Sequence, residues 1–173
     1  GVPGVESQPA SGKGDRGAYL KGLSFSEGKI EVELMGAAQP QGSFLGVVFA
    51  GEDGETYESV YFRPFHFGSR DPVKRGHAAQ YMAHPDWPWR KLRAERPEEF
   101  ENRVDPDPSP ADWFRMRVEV EKTRVRVFVD EAAEPCLDVE RLGRTRNGKV
   151  GLWFNGIASF RNFKVTPDSS SRE

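Results

Sequence analysis

Cysteine is nearly missing from this chain. Cys136 is the only one in 173 residues, which excludes an internal disulfide and any cysteine-built zinc cluster, so packing alone must hold the fold. No run of 18 apolar residues occurs, and no segment is suited to cross a bilayer as a helix. A strong charge of either sign is also lacking: 25 Lys and Arg stand against 27 Asp and Glu, for a net charge of −2. No global field draws the protein to nucleic acid or an anionic membrane, and any electrostatic role is local. Motifs of catalysis and metal binding are scarce too. There is no G-x-S-x-G elbow, the three histidines His66, His77 and His84 lack H-E-x-x-H spacing, and Asp53 and Glu55 in "AGEDGETYE" lack an EF-hand's ligand series. No metal and no cofactor is expected. Cys136 lies in an apolar segment and reads as an inert thiol.

What the chain does have is length for one domain and a strong period of two. A domain of this size buries roughly 70% of its unfolded surface, enough for a continuous core. Residues 1–16 and 167–173 are poor in large apolar side chains and read as tails around one domain over 17–166. The first residue is glycine, as in a chain trimmed at its start or freed of an export leader, so periplasmic or extracellular export stays open. Between the tails, alternating runs such as "KIEVELMG", "SFLGVVFA", "TYESVYFRPF", "HAAQYMA" and "KVGLWFN" are separated by Gly, Pro, Asp and Asn clusters. In "FRMRVEVEKTRVRVFVD", Phe114, Met116, Val118 and Val120 alternate with charged residues, and a turn at 121–123 leads into Val125, Val127 and Val129. These are antiparallel strands packed on one face, and about ten of them predict an all-β sandwich or barrel.

Residues 83–112 break the rhythm. They hold six of the 13 prolines, with a short helix expected over 90–96, a packed first half and a stiff exposed "DPDPSP" connector. So long a connection in a compact domain points to function or disorder. The preceding stretch leads into it with a dense mixture of rings and cations, "VYFRPFHFGSRDPVKRGHAAQYMAHPDWPWRKLR".

The segments "DWFRMRVEVEKTRVRVFVDEAAEPCLDV" and "GKVGLWFNGIASFRNFKV" resemble the paired strands of the concanavalin A-like lectin and glucanase superfamily, the laminin-G-like jelly rolls in particular. Glu131 and Ala132 stand where glycine is usual in the turn. More narrowly, "YESVYFRPF" with "AAQYMAHPDWPW" resembles an uncharacterised bacterial family described as glycosyl hydrolases and allied to the 3-keto-disaccharide hydrolases. The resemblance implies a two-sheet antiparallel jelly-roll sandwich with a concave side on which sugars sit.

Sugars are held by flat apolar rings under their C–H faces and planar hydrogen-bonding groups around their hydroxyls. Tyr61, Arg63, Gln80, Tyr81, Trp87, Trp89, Trp153 and Asn155 are the candidates. On 57–65, Val60, Phe62 and Pro64 suit a core, while Tyr57, Ser59, Tyr61, Arg63 and Phe65 share the other face. Trp153 and Asn155 likewise alternate with Leu152 and Phe154. Each ring can equally be a core or loop-packing residue. Arg63, fixed by the proline that follows, is expected to hold an internal carboxylate such as Glu58 or Asp86.

Catalysis finds less support. Glycosidases use two carboxyls, and the Glu-x-Asp-x-x-Glu strand of the superfamily's glucanases is absent. Glu58 is the leading candidate acid, although alternation places it with Val60 and Phe62, and Asp86 is its candidate partner. Glu31 and Glu33 read as a solvated strand face. The strip of Arg115, Arg117, Arg124 and Arg126 is explained by cross-strand partners such as Asp138 or Glu140, with anionic polysaccharide as a lesser option. The expectation is therefore a carbohydrate-binding domain, with a glycoside hydrolase or a ligand-free interaction domain as alternatives and with nucleic acid not expected as a partner. Oligomeric state is left open.

Overall fold

The computed structural model describes residues 15–169 and the backbone of Val5–Pro9. Its strands are β1 (Val5–Pro9), β2 (Arg16–Leu20), β3 (Gly28–Met35), β4 (Ser43–Gly51), β5 (Tyr57–Phe62), β6 (Ala79–His84), β7 (Glu101–Asn102), β8 (Phe114–Val120), β9 (Arg124–Val129), β10 (Leu137–Glu140), β11 (Lys149–Gly156) and β12 (Ser159–Pro167). Two short helices, α1 (Pro72–Gly76) and α2 (Trp89–Glu95), interrupt them. The strands form a seven-stranded sheet in the order β1-β2-β11-β4-β5-β6-β7 and a five-stranded sheet in the order β10-β9-β8-β3-β12. This is the expected antiparallel jelly-roll sandwich.

The period of two explains the layers. On β8, Phe114, Met116, Val118 and Val120 are buried, and on β3 the same holds for Ile30, Val32 and Leu34. They meet Leu45, Val47, Val60 and Phe62 of the larger sheet, with Phe62 set edge-on to Phe114 at 5.2 Å between centroids. The β8–β9 hairpin turns at 121–123, with Val120 opposite Val125. On the solvent side the arginine strip is met by acids: Arg115 by Glu31 at 2.5 Å and Arg124 by Asp138 at 2.6 Å, with Arg126 on Glu121. Glu140 instead pairs with Arg96.

Inside the sandwich sits one ionic group. Glu58 is fully buried; Tyr81 Oη donates to it at 2.6 Å and Arg141 Nη2 at 2.7 Å. Arg141 also donates to the backbone carbonyls of Ser26 and Glu121, and Tyr81 accepts from Leu142 N. A charge pair can stay in a core only when its remaining hydrogen-bonding capacity is used in this way.

Some boundaries differ from the sequence reading. Val5–Pro9 pairs with β2, and Arg16 already belongs to β2, so 1–16 is not wholly a tail. The other residues before 15, and the end of the C-terminal tail at 170–173, lie outside the described residues. Within 83–112, α2 begins after Pro88 and stops before Pro97, since proline suits a helix start and disrupts its continuation. The short β7 adds an edge that two residues could not announce by periodicity.

Candidate functional site

On the outward face of the seven-stranded sheet, Trp153 on β11 lies opposite Gly46 on β4, which lies opposite Tyr61 on β5, which lies opposite Gln80 on β6, which lies opposite Glu101 on β7. Residues opposite one another share a face. Because Gly46 carries no side chain, the rings of Trp153 and Tyr61 meet across it, with centroids 4.4 Å apart and planes at 34°. A Cβ at Gly46 would come within 2.0 Å of the Val60 carbonyl oxygen, so glycine is required there. The next row sets Asn155 opposite Phe44.

Over these rows lies a hollow of about 380 Å³. Trp153, Tyr61 and Phe44 form its aromatic floor, Asp15 and Asn155 one side, and Trp89, Arg90 and Arg93 of α2 the other. His66, His77 and His84 border it as well. The indole Nε1–H of Trp153 is buried and meets no acceptor among the described residues. Such a group is unusual in a folded protein and asks for an explanation.

Arg63 extends β5 into the base of the hollow and is only 5% exposed. It directly precedes Pro64, with φ −114° and ψ 88°, and its N–H donates to the Ala78 carbonyl at 2.8 Å. Nη1 donates to the His77 carbonyl at 2.8 Å, Nη2 to Tyr61 Oη at 3.1 Å, and both reach Gln80 Oε1 at 3.4 Å. Its acidic neighbour is Glu101, at 3.8 Å, rather than Glu58 or Asp86. Glu101 is itself taken up by Arg93 through a bidentate pair of 2.7 and 2.6 Å. The Trp89 ring therefore has three guanidinium groups around it, Arg93 at 4.7 Å, Arg90 at 5.1 Å and Arg63 at 5.5 Å.

Burial sets the protonation of the other polar groups. It pushes His66 down to about 4, helped by the positive charge of Arg63, and it also lowers His77 and His84. All three present neutral imidazoles near neutral pH. Burial raises the Asp15 carboxyl, partly offset by a 2.9 Å hydrogen bond from Asn155 Nδ2.

The structure thus brings Tyr61, Arg63, Trp89, Trp153 and Asn155 to one hollow. Gln80 lies beneath it, fully buried, and holds Arg63 while donating to the Tyr81 and Phe100 carbonyls. Tyr81 is a correction: as the neighbour of Gln80 on β6 it points the opposite way, into the core, where it bonds Glu58. Trp87 is outside the hollow too, bridged to Ala83 and lying beneath Lys91 Nζ at 4.4 Å. Glu58 is sealed between the sheets and cannot reach a ligand in the hollow. Asp86 pairs with Arg144 on the outer side of the loop. The Asp53 carboxylate closes its own turn, accepting from the Glu55 and Thr56 N–H groups at 2.8 Å. Among the described residues, no group of three His, Cys, Asp or Glu is placed to hold a metal.

Asp15, Phe44, Arg93 and Glu101 escaped sequence reasoning. Asp15 fell in a presumed tail and Glu101 in a two-residue strand. Phe44 could have been found from its alternation with Leu45, and Arg93 from its i,i+4 spacing with Trp89 on the expected helix.

No family profile matches the chain. A levanase from Bacillus sp. (strain L7) is 36% identical to it over 63 residues, which are 36% of this chain and 7% of the levanase. The chain therefore spans only a small part of that relative's length. Among solved structures, carbohydrate binding module CBM66 from Bacillus subtilis is similar over 92% of this chain and 89% of its own, with a TM-score of 0.61 and 13% identity. A "putative glycosyl hydrolase" from Parabacteroides distasonis is similar over 97% and 85%, with a TM-score of 0.58 and 11% identity. CG-16, a homodimeric agglutinin from chicken liver, is similar over 87% and 99%, with a TM-score of 0.52 and 17% identity. The chain shares with these structures the two-sheet antiparallel jelly-roll fold.

Proposed function

We propose that the hollow binds a saccharide and does not cleave it. The observation that carries this reading is the combination of ring surfaces with planar polar groups around one cavity of about 380 Å³, a volume within the range of small-molecule sites. Trp89 and Phe44 offer apolar faces to C–H groups, while Asn155, Asp15 and Arg63 offer hydrogen bonds to hydroxyls. The buried Trp153 Nε1–H, without an acceptor among the described residues, is a further donor in the floor. Structures sharing the fold include a carbohydrate binding module and an agglutinin, and the matched sequence segment belongs to a levanase. Against cleavage stands the supply of acids: among the described residues Asp15 alone lines the hollow as a carboxylate, whereas glycoside hydrolysis ordinarily takes two.

The test is a glycan array followed by calorimetry on Trp89→Ala and Asn155→Ala, with circular dichroism confirming the fold. Both side chains are only half-buried, and each variant should weaken binding about tenfold or more. Glycan binding indifferent to both would remove the hollow as the site, and failure to bind any glycan would remove the function. Release of reducing sugar from any bound oligosaccharide would overturn the noncatalytic reading.

A further inference from the structure

Resting on that reading of the hollow, we propose that the saccharide carries a carboxylate, received by Arg90 beside the Trp89 ring, with the buried charge of Arg63 lining the hollow behind it. Three guanidinium groups lie within 5.5 Å of that indole, yet they share a single carboxylate, Glu101. Arg93 uses both Glu101 oxygens at hydrogen-bond distance, and Arg63 stands 3.8 Å from one of them. Arg90 is exposed and meets no acid among the described residues; its guanidinium lies over the Trp89 ring. The cationic side of the hollow thus exceeds its acidic partner by two charges, counting Arg63, Arg90 and Arg93 against Glu101.

The opposite side does not cancel this. Among the described residues Asp15 is the one carboxylate there, held by Asn155, and its burial disfavours its charge. His66 is held down chiefly by burial, and the charges of Arg63, Lys74 and Arg93 oppose its protonation further. A neutral sugar would leave this excess uncompensated in a partly desolvated cavity, where charge interactions exceed their strength in water. A carboxylate would offset it and match the planar fork of a guanidinium, which pairs with carboxylates through two parallel hydrogen bonds. The indole beneath the arginines adds an apolar face for the same sugar ring, so the cation and the stacking surface lie within one residue's reach of each other.

The experiment compares charged saccharides with versions of themselves from which only the charge is removed. Oligogalacturonides, oligoglucuronides and alginate oligomers, each beside its methyl ester, are titrated calorimetrically into the intact chain at low and moderate salt. At least one acid should bind about tenfold or more tightly than its ester, a preference that shrinks as salt rises. Arg90→Gln should cut that preference to threefold or less, and Arg90→Lys should restore part of it. Equal binding of acid and ester, or binding only of neutral glycans, overturns this inference and leaves saccharide binding intact. Stronger binding of sulfated glycans lacking uronate overturns the choice of carboxylate. If no glycan of any kind binds, the proposed function itself fails.

Discussion

The two faces of the β5–β6–β7 strands each hold a carboxylate beside arginine, and they treat it differently. On the inner face, Glu58 meets one arginine, a tyrosine hydroxyl and a sealed core; Arg141 in turn spends its remaining donors on backbone carbonyls. The group is saturated and has nothing left for a ligand. On the outer face, Glu101 faces Arg93 and Arg63, with His77 3.9 Å away, and Arg90 stands beyond it. There the cations outnumber the acid and border open volume. The same side-chain types make a clamp where they balance and, on the reading proposed above, a receptor where they do not, so the stoichiometry of charge and its access to solvent would separate structure from function here.

The largest effect should come from breaking the balanced group. Arg141→Met leaves the buried Glu58 carboxyl without its guanidinium partner and should cost about 3–5 kcal/mol in chemical denaturation. Adding Glu58→Leu to it should recover much of that loss. A cost below about 1 kcal/mol for Arg141→Met would mean the inner group is not the clamp it is taken to be. Next comes Glu101→Gln, which leaves two guanidinium groups without their acid and should cost about 1–3 kcal/mol. Because it enlarges the cationic excess, it should also tighten binding of any acidic saccharide; weaker binding would show that Glu101 matters chiefly by holding Arg93 in place.

Acid provides a test of the histidines on the outer face. His66, His77 and His84 all have folded pKa values below the ordinary 6.5, with His66 at about 4. The unfolded chain therefore takes up these protons first as pH falls. Their contribution to stability is present above about pH 6.5 and is lost from there down through about pH 4, while the raised Asp15 carboxyl works in the opposite sense. The melting temperature should fall over this window, and His66→Gln should make the decline shallower. An unchanged slope in that variant would sink the assignment. The smallest effect belongs to the exposed strip: Arg124→Ala, whose pair with Asp138 is nearly half open to solvent on both sides, should cost less than about 1 kcal/mol.

Much of this architecture could be read from the chain because strands write their two faces in alternate letters. Glu58 with Val60 and Phe62, Tyr61 with Arg63, and Trp153 with Asn155 all fall where alternation puts them. The same logic, applied to β6, would have separated Gln80 from Tyr81, which ring chemistry alone had grouped as ligands. Glu101 was illegible for a physical reason: a two-residue strand has no period, and its importance comes from the helix folded over it. The partner of Arg63 was hidden likewise, since Asp86 and Glu101 are both acids of the same long connection and only packing decides between them. Asp15 shows the limit of composition, for a stretch poor in apolar residues can still supply a side chain to a site.

The segment after β10 carries one more consequence. Arg141 is rooted beside Glu58, and three residues later Arg144 grips Asp86, at the start of the turn that leads into Trp87, Pro88 and Trp89. A single short stretch of backbone thus acts as a tie rod from the middle of the sandwich to the rim of the cavity. Loosening its inner anchor should be felt as slack at the opposite end, so that a change remote from the cavity should still weaken the saccharide binding proposed for it.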